Sequence, residues 1–107
     1  MPVVSSPAWS SPTLELPDDF DEFAWEVHAK GWFDGVVVDG ERRIAIAFYD
    51  PRRLLQEIEH AVATEGQFAE VNLVVVSEVS SDSMRRAVSN LVASGRLNMF
   101  AVESGSG

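Results

Sequence analysis

The chain has 107 residues, 46% of them apolar, with 17 acidic against 8 basic residues, a formal charge of −9 and no cysteine. That length suits a single domain burying roughly 60–70% of its unfolded surface, and the lack of cysteine excludes a disulfide framework, a thiolate metal site and a thiol nucleophile. The acidic balance argues against a general nucleic-acid surface, which needs Lys and Arg facing phosphate, and no run reaches the roughly 18–20 apolar residues of a membrane span.

Residues 1–13 are rich in Ser and Pro and read as a flexible arm, with Trp9 as its one large apolar side chain. They lack the basic start and apolar core of a secretory signal, so a cytosolic protein is expected. Residues 14–103 read as the domain and 104–107 as a loose tail.

Pro17 and Asp18 open a first predicted helix, 18–30. Phe20, Phe23, Ala24 and Val27 fall on one face at helical spacing. Asp18, Asp19, Asp21 and Glu22 suit the positive end of its dipole, and Lys30 followed by Gly31 suits the exit. Residues 32–38 and 42–49 read as a hairpin, with Asp39-Gly40 as the turn signal. In the return strand Ile44, Ile46 and Phe48 alternate with Ala45, Ala47 and Tyr49, and the two small Ala residues predict a closely packed helix on their side.

Asp50-Pro51 is a cap followed by proline at the first helical position. The helix it opens, 51–65, carries the stripe Leu54, Leu55, Ile58, Ala61 and Val62 and ends at Gly66. Residues 71–76, nearly all apolar, read as a central strand covered on both faces. Ser80, Ser81 and Asp82 cap a third helix, 81–94, with Met84, Ala87, Val88, Leu91 and Val92 on its inner face. Residues 97–102 read as the last strand. The order α-β-β-α-β-α-β predicts an α/β (or α+β) domain: a four-stranded mixed sheet, with strands 42–49, 71–76 and 97–102 parallel and linked by right-handed crossovers. The second and third helices are expected on one face, with the first helix or a second subunit on the other. Met99 and Phe100 would make the last strand an apolar edge, which points to a homodimer.

Three functional readings follow. In the first, Trp25 lies opposite the Phe20/Phe23/Val27 stripe among Asp21, Glu22 and Glu26. An exposed Trp amid carboxylates is a contact anchor for a basic protein partner. The chain would then be a non-enzymatic binding module of the inhibitor, immunity or accessory type, where opposite charge speeds encounter. The dull alternatives for Trp25 are cover by the N-terminal arm or burial near Trp32.

In the second reading, Arg52, Arg53, Arg85 and Arg86 sit in the first turns of two helices, where the dipole disfavours cations by roughly 0.3–1 kcal/mol each. With Ser80 and Ser81 they would bind an anion or small molecule, in an enzyme or a simple binder, at the carboxyl rim of the parallel strands. The plainer account is pairing with Asp50, Glu57, Glu78 or Asp82. The third reading is a structural homo-oligomer subunit.

Catalytic sets are poor. His28 and His60 lack ligand spacing, no serine sits in a GxSxG elbow, and neither common phosphate loop is present. A metal-dependent nuclease using Asp34, Asp39 or Glu41 would want a neighbouring Lys, and Lys30 is the only one. No cofactor, metal, nucleic acid or membrane is expected.

Overall fold

A computed structural model describes residues 12–102. Most of the expected arm and all of the expected tail 104–107 lie outside them. The elements run β1 (Thr13–Glu15), α1 (Phe20–Lys30), β2 (Trp32–Asp39), β3 (Arg42–Tyr49), α2 (Pro51–Glu65), β4 (Leu73–Val75), α3 (Ser81–Ala93) and a 3-10 turn (Arg96–Met99). The strands form one sheet in the order β1-β2-β3-β4, with β3 and β4 parallel and the other neighbours antiparallel.

The α/β class, the mixed four-stranded sheet and the three helices stand as expected, but the fourth strand is a different segment. Thr13, at the end of the expected arm, begins β1, which pairs through Leu14↔Val37 with β2. Residues 97–102 do not join the sheet. They begin with the 3-10 turn, and the chain then crosses the foot of β4, where the side chain of Asn72 holds it. Asn72 Nδ2 donates to the carbonyls of Ala45 and Ala101, both at 2.8 Å, and Oδ1 accepts from the Ala101 amide at 2.9 Å.

Asn72 also shortens the strand expected over 71–76. Its φ of +58° breaks the extended run, so only Leu73–Val75 remains. That strand lies at the edge of the sheet, not at its centre, and Val75 is 47% exposed.

The hairpin keeps its strands, in the register Trp32↔Tyr49 through Asp39↔Arg42. Its two loop residues are therefore Gly40 and Glu41, not Asp39 and Gly40. Gly40 has φ +65°, and Glu41 is not among the positive-φ residues, which is the sign pattern of a type II′ turn. Asp39 instead pairs with Arg42 across the loop.

Alternation along the strands sends Leu14, Val37, Ile44, Ile46 and Phe48 to one face, where they meet Phe20 and Val27 of α1 and Met84 and Val88 of α3. Each such side chain taken from water contributes about 1.5–3 kcal/mol. Phe20 packs edge-on against Phe23 and Phe33, with ring centroids 5.4 Å apart in both pairs. The core is thus shared by α1 and α3.

α2 contributes nothing to that core and has no buried residue. Its Arg53 and Glu57 border a cavity with Trp32, Asp34 and Tyr49, residues that alternate away from the core. α2 therefore stands alone over the opposite face, which corrects the expected pairing of α2 with α3. Of the two small residues on that face, Ala47 is buried and Ala45 is exposed, so only part of the face is covered.

Candidate functional site

α1 begins at Phe20, two residues later than expected, because Pro17 and Asp19 first accept turn bonds from Phe20 and Glu22, both at 2.9 Å. Phe20 and Val27 anchor its inner face, and Phe23 departs from helical angles (φ −125°, ψ 16°), so the helix is kinked there. Trp25 follows the kink and is 72% exposed. Asp21, Glu22 and Glu26 are exposed around it. Burial of Trp25 near Trp32 is thereby excluded, while cover by the N-terminal arm concerns residues that lie mostly outside those described. Trp32 is instead half-buried, with Lys30 Nζ 4.9 Å from its ring centroid.

α2 and α3 both start beyond the carboxyl ends of the parallel strands β3 and β4, hence along one rim of the sheet. They lie over opposite faces, however, and this separates the four arginines. Arg53 pairs with Glu57 at 2.7 Å on the α2 side. Arg85, on α3, donates to the Leu14 carbonyl on β1 at 3.3 Å. Arg86 borders a hollow with Val75, Ser77 and Ser83, and Arg52 is exposed. Ser80 Oγ accepts the Ser83 amide at 3.2 Å, an ordinary cap, while Ser81 is a half-buried first-turn residue. The guanidinium groups do not converge on one cavity.

The structure gathers a polar set that sequence reasoning missed. A cavity of about 190 Å³ is lined by Trp32, Asp34, Tyr49, Arg53, Glu57 and Glu70. Tyr49 OH donates to Glu70 Oε1 at 3.0 Å. Burial, then the Glu70 hydrogen bond and charge, then Glu57 and Asp34, push the Tyr49 phenol up to about 12. Near neutral pH it is therefore a fixed donor, not a base or a nucleophile. The adjacency of Trp32 and Tyr49 could have been found by counting back from a Gly40–Glu41 loop. Glu70 lies in an unpatterned stretch and gave no signal.

His28 Nε2 lies 3.1 Å from Glu78 Oε1 on the exposed surface, and His60 faces solvent. Among the described residues no group of three or more His, Asp or Glu side chains could hold a metal, and no helix is long and apolar enough to cross a membrane. Comparisons with family models, with curated proteins and with solved structures found no match.

Proposed function

We propose that the protein is a non-enzymatic acidic binding module of the inhibitor, immunity or accessory type, acting in the cytosol on a basic protein partner through the outer face of α1. The observation that carries this reading is the 72% exposure of Trp25 beside Asp21, Glu22 and Glu26. A large ring left in water adds nothing to the fold, yet it supplies the contact area that interface anchors use. The surrounding carboxylates, on a chain of charge −9, attract a basic surface and speed encounter with it. The dispersal of Arg52, Arg53, Arg85 and Arg86 counts against the anion-binding alternative.

The test is affinity capture from the native host with the full chain and with Trp25→Ala, at low and high salt. The expected result is a basic protein retained by the parent at low salt, released at high salt and lost with Trp25→Ala. Retention of every captured protein by Trp25→Ala would overturn the assignment.

A further inference from the structure

β4 closes one side of the sheet, and its outer backbone has no strand beside it among the described residues. The inward bonds define which groups point out. Ala47 donates to the Asn72 carbonyl at 3.0 Å and Val76 donates to the Tyr49 carbonyl at 2.9 Å. In a parallel ladder alternate residues bond to opposite sides, so the N–H and C=O groups of Leu73 and Val75 point away from β3. A row of outward donors and acceptors is a template for a further strand.

Two hollows lie along this edge, with α3 and the 3-10 turn as their far wall. One, of about 360 Å³, is lined mainly by apolar residues, Leu73, Leu91, Met99 and Phe100, with Asn72 and Arg96 at its margin. The other, of about 210 Å³, borders Val75, Ser77, Ser83, Arg86 and Asn90. They sit at opposite ends of β4, two to three residues apart, roughly 7–10 Å at strand spacing. An added strand repeats its side chains on one face at that interval. Among the described residues, the charged side chains bordering the two hollows are Arg86 and Arg96, so this part of the edge is locally basic on a chain of charge −9.

We infer that the β4 edge and α3 together receive an extended segment of a partner protein as a fifth strand. Its apolar side chain fills the Leu73/Leu91/Phe100 hollow, and an acidic side chain two residues away meets Arg86. Main-chain bonds to Leu73 and Val75 hold the segment, and the two hollows select its sequence, as in other strand-addition sites. Acidic character in the occupant follows from the two arginines, and extended conformation follows from the open backbone. The surface is separate from the Trp25 face and stands whether or not that reading holds.

The test uses fluorescein-labelled, end-blocked threonine pentapeptides carrying leucine and glutamate two residues apart, made in both orders. Controls replace glutamate with lysine. Anisotropy is read with the parent chain and with Val75→Pro, Arg86→Glu and Trp25→Ala. Proline at 75 removes an outward N–H and leaves the inward ladder intact, and circular dichroism confirms that the variant folds.

One of the two glutamate peptides is expected to bind. Val75→Pro and Arg86→Glu should each weaken it roughly tenfold, the scale of one lost hydrogen bond. The lysine peptides should not bind, and Trp25→Ala should make no difference. No binding by either glutamate peptide, equal binding by the lysine peptides, or full binding by folded Val75→Pro would overturn the inference. So would a concentration-dependent dimer of the parent that Val75→Pro dissolves, because the edge would then belong to a second copy.

Discussion

The backbone amide of Asp50 donates to the carbonyl of Gly31 across 2.9 Å, making the exit of α1 and the entrance of α2 a single joint. The Asp50 side chain serves the same joint, its Oδ1 accepting the Arg53 amide at 2.7 Å as the helix cap. Gly31 is suited to this place twice over. It has φ +79°, and a Cβ there would lie 2.7 Å from Asp50 Oδ2 and 2.9 Å from Arg53 Cβ.

Gly31→Ala should therefore cost about 2–5 kcal/mol, combining left-handed strain with overpacking. Gly66→Ala is the control, because φ is +84° there but nothing lies within 4 Å of the added carbon. It should cost only about 1–2 kcal/mol. Urea denaturation of the two variants measures the difference, and equal losses would show that the joint relaxes freely.

Asn72 ties three segments: β3 through the Ala45 carbonyl, β4 through its own backbone, and the C-terminal segment through both backbone groups of Ala101. Asn72→Ala forfeits these bonds and the residue type that tolerates φ +58°, for an expected loss of about 1–3 kcal/mol. Asn72→Gly removes the bonds but not the backbone freedom, and should lose less. Hydrogen exchange at the Ala101 amide should accelerate in both variants. An unchanged rate would mean that Phe100, half-buried against the core, holds the segment without Asn72.

The helices and the hairpin were legible in the sequence because their signals are local. Asp50-Pro51, Ser80 and the helical stripes need no knowledge of the remaining chain. β1 was not legible: its three residues, Thr13–Glu15, are too few to show alternation, and Leu14 becomes a strand residue only because Val37 lies opposite. The last strand gives way to a 3-10 turn over Arg96–Met99, and the strand expected over 71–76 is shortened by the φ of +58° at Asn72, a backbone angle that no pattern reveals. The side taken by α2 was equally hidden, since its stripe reads the same over either face. Trp25 could be read as exposed from its phase on α1. The Arg52, Arg53, Arg85 and Arg86 cluster could be read only as far as a shared rim, because faces are a tertiary property.

Tyr49 is the only tyrosine in the chain, so phenolate absorbance titrates it alone. Its midpoint should lie near 12, against the ordinary value of 10.0. The linkage has a definite sign. Below pH 10 both folded and unfolded chains keep the proton and Tyr49 adds no pH dependence. From 10 to 12 the unfolded chain releases a proton that the folded chain retains, so stability falls as pH rises through this window. Tyr49→Phe should flatten that part of the profile and leave the profile below pH 10 unchanged in shape. An absorbance midpoint at the ordinary value would show that Glu70 and the cavity do not act on the phenol.

Trp25 and the core make opposite demands on a substitution. Trp25→Ala should leave unfolding free energy within about 0.5 kcal/mol of the parent, as for other exposed positions without special contacts. A partner's affinity should fall by about 2 kcal/mol or more. Glu22→Gln with Glu26→Gln should slow association and weaken its salt dependence, with a smaller effect on dissociation. A large drop in melting temperature for Trp25→Ala would identify the ring as a structural contact and remove the anchor.

α2 should be the least protected helix. Leu55 and Val62 on its apolar stripe are 55% and 50% exposed, and none of its residues is buried. Its local supports are the Asp50 cap, Pro51 at the first helical position, the Arg53–Glu57 pair and the left-handed Gly66. Such features contribute about 0.3–1.5 kcal/mol each, enough to hold a helix against a sheet but not to make it open only with the whole domain. Leu55→Ala should then cost less than about 1 kcal/mol, whereas Ile46→Ala, at a fully buried strand position, should cost about 2–5 kcal/mol. Amides in α2 should exchange through local opening well before those of β3. Equal protection of α2 and β3, rising with protein concentration, would instead show the stripe covered by a second copy.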